Sequence, residues 1–259
     1  MMLTDTQVRP RLVRDSRHVL IRELKPVVRD PFSLIFSLLQ PLVFLGLFAP
    51  LLVGEIGGST PETLRWFVPG VLVMLVLFGT GAIGSNLQYE MSTGSHERTL
   101  VAPLSRPALL IGRALKEIAP IIVQALLIAL IAWPFGFTAD PMGLVIGLVL
   151  LAVFGVGLGA LSYSLALASK RREWLFWGVQ QTLIFPLLIL SGMLLPLEEA
   201  PAWMRAVAAV NPVRWVVDAE RALIAGDFLD PSVAWGALSA AAVAAMGLAI
   251  GVGAIRRRN

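Results

Sequence analysis

Residues 142–168 have the sequence MGLVIGLVLLAVFGVGLGALSYSLALA, an apolar stretch without a charged side chain. A bilayer core of about 30 Å takes about 20 helical residues to cross, so this stretch is long enough to span it. Asp140 and Pro141 come directly before it. An aspartate can cap the free N–H groups of a helix, and proline is favoured in the first turn. The stretch therefore predicts a transmembrane helix with a defined start.

Five other stretches have the same apolar character and a similar length. The six predicted spans are about 32–53, 67–87, 109–133, 142–168, 174–195 and 232–255. The first and last also follow an Asp-Pro pair. Of the 259 residues, 57% are apolar and 15% are charged, and the mean hydropathy is +0.79, whereas soluble chains have about 25% charged residues. We predict an all-α integral membrane protein with a single transmembrane domain over residues 1–259.

The distribution of positive charge predicts the orientation of the spans. Seventeen of the 21 Lys and Arg residues lie in the two termini and in the segments 88–117 and 169–173. Because positive charge is retained on the cytoplasmic side, we expect both termini and these two segments to be cytoplasmic. The net charge of +4 does not predict a nucleic-acid partner, since the basic residues lie at the ends of apolar spans. The expected partner is the lipid bilayer.

Residues 11–29 have the pattern of an amphipathic helix. On a helical wheel the basic residues share one sector and the apolar residues lie opposite. The basic set is Arg11, Arg14, His18, Arg22, Lys25 and Arg29, and the apolar set is Val13, Leu20, Leu24 and Val27. This pattern is typical of a helix that lies on a membrane surface, and Pro26 is expected to bend or end it. The alternative is a solvated tail whose arginines only set the orientation.

The segment 196–231 is the one long connection on the predicted outer side, and it has the pattern of two short helices. Pro201 fits the start of the first, Asn211-Pro212 starts the second, and Gly226 suits its end. An apolar face is expected to lie shallowly in the outer membrane interface: Trp203, Met204, Val207, Val210, Trp215 and Val216. The acidic residues are expected to stay in water: Glu198, Glu199, Asp218, Glu220, Asp227 and Asp230. Such a hairpin would cover the outer mouth of a transport pathway.

The sequence lacks the residues that most enzymes and metal sites need. It has no cysteine, only the histidines His18 and His96, and no acidic pair at metal-ligand spacing. We therefore predict no catalytic residue, no metal site and no cofactor bound by this chain. Glu117 is the single Asp or Glu in the predicted spans, which argues against transport coupled to ions. A phosphate-binding G-x-x-x-x-G-K-[ST] loop is missing too, so any ATP would be bound by a partner.

The polar residues inside the predicted spans have two interpretations. They are Asn86, Gln88, Gln124, Ser162, Ser164, Gln180 and Gln181. Such side chains usually hydrogen-bond to a neighbouring helix, but Asn86, Gln124, Gln180 and Gln181 are also candidates to line a pathway.

Small residues and prolines in the spans predict features of helix packing. The pairs Gly155/Gly159 and Gly247/Gly251 predict close helix contacts, inside the chain or across a dimer. Helix kinks are predicted at Pro69, Pro120 and Pro186.

Three stretches together resemble the permease family of type-2 ABC exporters, which includes daunorubicin-resistance permeases. Residues 22–48 are RELKPVVRDPFSLIFSLLQPLVFLGLF, similar to the family's entry helix and first span. Residues 89–117 are YEMSTGSHERTLVAPLSRPALLIGRALKE, similar to its cytoplasmic loop. Residues 191–227 are SGMLLPLEEAPAWMRAVAAVNPVRWVVDAERALIAGD. They resemble its external hairpin, with Ser-Gly, Pro-Leu, Pro-x-Trp, Asn-Pro and Asp-x-x-Arg in order.

The resemblance implies a function and a set of partners. The chain would be a permease in a prokaryotic cytoplasmic membrane, dimeric with itself or a related permease, on two ATP-binding subunits that hold ATP and Mg²⁺. It would export hydrophobic or amphipathic, drug-like or lipid-like molecules. The implied ATPase-coupling residues are Glu90, Gly94, Glu97, Arg98, Lys170, Arg171 and Arg172, and the implied external gate residues are Pro201, Trp203, Asn211, Pro212 and Trp215.

Three alternatives to this interpretation stay open. The chain could export polysaccharide or glycolipid, or it could be a transporter or channel that does not use ATP. The pair Glu97-Arg98 could also be an internal ion pair that only folds its loop.

Overall fold

The computed structural model describes residues 31–54, 58–93, 106–169, 172–198 and 200–256. Within these residues every regular element is a helix, which confirms the predicted all-α fold. The helices are α1 (Pro31–Leu52), α2 (Thr60–Gly79), α3 (Gly81–Ser92), α4 (Arg106–Ala132), α5 (Pro141–Ala168), α6 (Glu173–Ile189), α7 (Ala202–Ala209), α8 (Pro212–Ala225) and α9 (Pro231–Arg256). A 3₁₀ turn, Trp133–Phe135, follows α4. The predicted amphipathic helix at 11–29 lies outside the described residues.

Among the described residues, four helical stretches are long and apolar enough to cross a membrane. They are Thr60–Ser92, Ile118–Phe135, Pro141–Ala168 and Pro231–Ala254. α1 has a shorter apolar part, Leu38–Leu52, and the 17 residues of α6 would cover about 26 Å. The prediction of six spans therefore stays a prediction for α1 and α6.

α6 ends six residues before the limit predicted for its span. The chain turns at Ser191, whose Oγ donates a hydrogen bond to the Leu188 carbonyl oxygen at 2.6 Å. Gly192 follows with a φ of +71°, in the left-handed region that favours glycine. The apolar residues after this turn therefore belong to a loop, although their hydropathy alone continues the span.

α5 and α9 touch through their backbones. Gly157 of α5 lies against the backbone of Val243 and Ala244, and Gly247 of α9 lies on the Gly157 carbonyl group. The predicted close contact at Gly247 is confirmed inside the chain, but its counterpart is Gly157, which was not one of the predicted glycines. The two helices can approach this closely because neither glycine has a Cβ.

Gly155 and Gly159, the pair predicted on α5, face other helices. Gly155 lies beside Val76 of α2 and Ile118 of α4, and Gly159 lies beside Ile83 of α3. Their predicted packing role is therefore confirmed, with partners on the side of α5 away from α9.

The predicted span 67–87 is interrupted at Thr80, between α2 and α3. The Thr80 hydroxyl donates a hydrogen bond to the Val76 carbonyl oxygen at 2.8 Å. α2 is buried from Phe67 through Leu77, whereas α3 packs in a second apolar cluster with Tyr163 and Phe176. Pro69, Pro120 and Pro186 lie inside α2, α4 and α6.

Large apolar side chains cover the outside of the bundle. On α6 the residues buried are only Phe176, Gln180, Ile184 and Leu188, one every fourth residue. The exposed apolar residues on α1, α4 and α9 include Leu39, Leu47, Leu51, Leu130, Trp235, Leu238 and Met246. Water-soluble proteins rarely expose apolar surface on this scale, so the exterior suits contact with lipid.

Candidate functional site at the helical hairpin

Residues 201–226 form a helical hairpin of α7 and α8, as the sequence predicts. Pro201 is the N-cap of α7, Pro212 is the first residue of α8, and Gly226 ends α8 with a φ of +81°. Asn211 fixes the start of α8. Its Oδ1 accepts a hydrogen bond from the Val213 N–H at 3.0 Å, and its Nδ2 donates to the Leu187 carbonyl oxygen at 2.9 Å. The hairpin is therefore tied to the end of α6.

The two helices of the hairpin have different surroundings. On α7, the predicted apolar residue Trp203 is 65% exposed, and Val210, directly after the helix, is 81% exposed. On α8, Val216 is 0% exposed, so the prediction that it shares an outward apolar face is wrong. Trp215 is half-buried, and its Nε1 donates a hydrogen bond to the Ala209 carbonyl oxygen. Only α7 presents the predicted apolar face to the outside.

α8 is buried because α2, α5 and α9 surround it. Gly143 of α5 lies directly on the Leu223 carbonyl oxygen, and Gly236 of α9 lies beside the Trp215 carbonyl oxygen and Ala219. A larger residue at either glycine would collide with the backbone of α8. The first two turns of α5 and of α9 thus form a seat for α8 that lies inside the bundle.

Arg221 connects α8 to two other parts of the chain. Its Nε donates a hydrogen bond to the Trp66 carbonyl oxygen at 3.1 Å, and its Nη2 donates to the Gly192 carbonyl oxygen at 2.8 Å. Its guanidinium carbon lies 4.0 Å from the centre of the Trp66 ring, which adds a cation–π contact. Asp218 completes the cluster, with 3.3 Å between its Oδ1 and Nη1 of Arg221.

The Arg221 cluster was missed as a site in the sequence, although its signal was present. Asp218 and Arg221 are three residues apart, a spacing that puts them on one face of a helix, and they form the Asp-x-x-Arg motif of the resemblance. Burial lowers the pKa of Arg221 to about 10. The guanidinium therefore stays charged at neutral pH and holds α8 to α2 and to the Gly192 turn.

Asp140 joins the end of α8 to the start of α5. Its Oδ1 accepts a hydrogen bond from the Gly143 N–H at 2.8 Å, which confirms the predicted cap. Its own N–H donates to the Ile224 carbonyl oxygen at 2.9 Å. On the neighbouring connection, Arg65 donates a hydrogen bond to Thr138. We call this end of the bundle, formed by residues 58–66, 133–141, 190–198 and 200–231, the hairpin end.

Glu220 departs from the prediction that the acidic residues of the hairpin stay in water. It is 1% exposed, and its Oε1 has no hydrogen-bond partner among the described residues. Its carboxyl group lies against Gly147 of α5, and a Cβ added at Gly147 would be only 2.5 Å from Oε2 of Glu220.

Within the described part of the chain, no group of three or more His, Cys, Asp or Glu side chains could hold a metal ion.

A family model described as ABC-2 type transporter matches residues 16–224, which include all of α8 except its last residue. The chain belongs to the ABC-2 type transporter family. It is a transmembrane subunit of an ABC transporter, as the sequence resemblance implied.

Curated relatives agree with the ABC-2 assignment. The chain is 30% identical over 198 residues to the daunorubicin resistance ABC transporter permease protein DrrB1 of Streptomyces coeruleorubidus, covering 76% of this chain and 70% of that protein. It is also 30% identical over 200 residues to the putative transport permease ycf38 of Cyanophora paradoxa, covering 75% and 69%. The probable multidrug ABC transporter permease YbhR of Escherichia coli is 27% identical over 159 residues, which covers 60% of this chain and 42% of YbhR.

Two of the seven ATPase-coupling residues predicted for this ABC-2 chain are described, and both lie at the end of the bundle opposite the hairpin end. Glu90 is half-buried near the end of α3, and Arg172 is exposed directly before α6. The other five residues lie outside the described residues: Gly94, Glu97, Arg98, Lys170 and Arg171. Docking at these positions therefore stays a prediction.

The four polar residues suggested to line a pathway have separate environments. Gln180 packs on Gly81, where α3 begins, and the Oε1 atoms of Gln180 and Gln181 have no hydrogen-bond partner in the described ranges. Gln124 is buried and Asn86 is exposed. Gln88, in contrast, donates a hydrogen bond to the Ala166 carbonyl oxygen at 2.9 Å, as expected of a side chain that joins two helices. A pathway role for the four stays a prediction.

Proposed function

We propose that this ABC-2 chain is the permease subunit of an exporter that moves hydrophobic or amphipathic, drug-like or lipid-like molecules outward across a prokaryotic cytoplasmic membrane. The family supports the transporter class. Relatives named for daunorubicin resistance and multidrug transport support the substrate class. The 17-to-4 distribution of Lys and Arg supports cytoplasmic termini and, with them, a hairpin end on the outer side of the membrane.

One observation supports a gating role for the hairpin above all others. α8 is too short to span a membrane, yet it is buried among α2, α5 and α9, and Arg221 joins it to the Trp66 and Gly192 carbonyl oxygens. In this arrangement α8 closes the hairpin end. Substrate release on this side therefore requires α8 to leave its seat and Arg221 to give up its acceptors.

The energy for this movement would come from partner chains. We propose a dimer, with itself or a related permease, on two ATP-binding subunits that carry ATP and Mg²⁺. ATP binding would bring those subunits together, the loop at 89–106 would transmit the movement, and the spans would rock to open the hairpin end. This chain would supply the pathway and the gate, without catalysis.

The partner proposal can be tested by exchanging one charge pair. The variant Glu97→Arg with Arg98→Glu keeps both charges but reverses their order, so an internal ion pair could form again while a docking contact could not. We expect the ATPase still to copurify but to lose substrate-stimulated hydrolysis and ATP-dependent transport into inverted vesicles. Full stimulation and transport in the exchanged variant would contradict docking at this loop.

The alternative functions predict different results in the same preparation. A channel or transporter that does not use ATP would transport without copurified ATPase.

Export of polysaccharide is expected to need an aromatic lining, but the tryptophans that are exposed lie mostly near helix ends, as interface anchors do. These are Trp133, Trp174, Trp177, Trp203 and Trp235. The exposed positions favour a membrane-facing role for them.

A further inference from the structure

Glu220 is a buried acid that the proposed gate does not otherwise use. Its Oε1 has no hydrogen-bond partner among the described residues, and Gly147 leaves just enough room for its carboxyl group. A buried carboxylate without a partner is strongly unfavourable, whereas the protonated acid is tolerated far better. The seat of α8 therefore accepts Glu220 in its neutral form.

The elements around Glu220 do not supply a positive charge. α5 has no Asp, Glu, Lys, Arg or His between residues 141 and 168, and α9 has none between 231 and 254. On α2, Glu62 accepts a hydrogen bond from Ser59, and Arg65 donates one to Thr138. These charged groups are engaged at the outer edge of the bundle.

The charged residues on α8 itself, and Asp140 before α5, are also engaged elsewhere. Arg214 and Arg221 both pair with Asp218, and Asp140 caps α5. In agreement with this environment, burial raises the pKa of Glu220 to about 8, and no neighbouring charge opposes the shift.

We propose that Glu220 is a proton-operated latch on the hairpin: α8 is seated when Glu220 is protonated, and its departure from Gly147 exposes and ionises the acid. The proposal rests on the gating role proposed above. Each opening of the hairpin then releases one proton to the outer side, and alkaline conditions there favour the open hairpin.

The direction of the pH effect follows from the two environments. A glutamate in water has a pKa of about 4.3, so the open hairpin loses its proton at lower pH than the seated one. Between these two pKa values the seated state holds one more proton. The ratio of open to seated hairpin therefore rises about tenfold per pH unit and levels off near pH 8.

The latch can be measured by cysteine labelling, because the chain has no cysteine of its own. Val216→Cys places a thiol on buried α8, and Asp227→Cys places a reference thiol on the exposed connection. We would label each with a water-soluble maleimide between pH 5.5 and 7.5 and take the ratio of the two rates. This ratio cancels the ordinary pH dependence of thiol reactivity.

The expected ratio rises about tenfold per pH unit with Glu220 present and is flat in Glu220→Gln, which mimics the protonated acid. Glu198→Gln, a change at an exposed acid of the same end, should keep the full slope. A flat ratio with Glu220 present, or the same slope in Glu220→Gln, would overturn the latch.

A second comparison separates the latch from the gate. The same labelling is repeated with the copurified ATPase, with and without ATP. If ATP increases labelling of Val216→Cys but pH does not, the gating role of α8 is supported and the latch is wrong. If pH changes the labelling but ATP does not, Glu220 responds to protons and the gating role is wrong.

Discussion

α7 and α8 are consecutive short helices, each with a proline at its start, as N-cap in α7 and as first residue in α8, and they have similar amphipathic patterns, but their surroundings are opposite. α7 exposes Trp203 to the outside, whereas α8 buries Val216 and Glu220 inside the bundle. The difference comes from the neighbouring segments of the chain that each helix contacts. The glycines of α5 and α9 give α8 a seat, and Arg221 supplies donors to carbonyl groups of two other segments. An amphipathic pattern thus marks a helix that has two faces, and its neighbours decide whether the apolar face meets lipid or protein.

Removing Arg221 should have the largest effect on this difference. Arg221→Ala removes the guanidinium donor from the Trp66 and Gly192 carbonyl oxygens and leaves Asp218 with Arg214 alone as a close cation, so we expect the seated hairpin to lose about 2–4 kcal/mol. Labelling of Val216→Cys should then rise roughly 30- to 1000-fold, and export should lose its dependence on ATP.

Arg205→Ala on α7 is the matched control for this change. Arg205 is exposed and donates a hydrogen bond to the Glu198 carbonyl oxygen, so its loss should change stability by less than about 0.5 kcal/mol. Equal labelling in the two arginine variants would show that Arg221 does not hold α8 in its seat.

Filling the seat should have a smaller effect. In Gly143→Ala the new methyl group would meet the Leu223 carbonyl oxygen, a backbone atom that cannot rotate away. We expect a cost of about 1–3 kcal/mol, seen as a lower unfolding temperature in detergent and as faster labelling of Val216→Cys. Gly178→Ala on α6 is the control, because nothing lies within 4 Å of the added carbon. If both alanine variants unfold alike, α8 does not depend on this contact.

The smallest expected effect concerns α7. Cysteines at Trp203, Val207 and Val210 should react a few-fold more slowly than one at Asp227 with an impermeant reagent on intact cells. Full burial of such a side chain is worth about 1.5–3 kcal/mol, and α7 is expected to lie only shallowly in the interface. Arg221→Ala should leave these rates unchanged. Fast, uniform labelling would place α7 in water, and failure to label Asp227→Cys would contradict the outward orientation.

Helix starts were predictable from the sequence because local chemistry determines them. Asp140-Pro141 predicted the beginning of α5 to within one residue, since the carboxylate caps the Gly143 N–H in the structure. Asn211-Pro212 and Gly226 likewise marked both ends of α8. The end of α6 was missed because the turn at Ser191 and Gly192 lies in an apolar stretch.

The arrangement of the site could not be predicted in the same way. Arg221 contacts Trp66, which is 155 residues away, and the room for Glu220 depends on Gly147 of another helix. Neither relationship has a local signal in the sequence. Hydropathy assigned Glu220 to water because hydropathy considers only the residues nearby in the sequence. The burial of Glu220 results instead from the packing of three helices around α8.

The interruption at Thr80 has a consequence for local stability. The apolar cluster that includes α8 extends through much of the bundle, whereas the cluster that joins α3 to α6 has only seven buried residues in the described chain. Cooperative opening of a segment depends on the apolar contacts that it must break. Backbone amides of α3 should therefore exchange with deuterium sooner than those of α2, although hydropathy treats the two helices as one span. The end of the bundle that is expected to receive the ATPase would then be the part with the lower local stability.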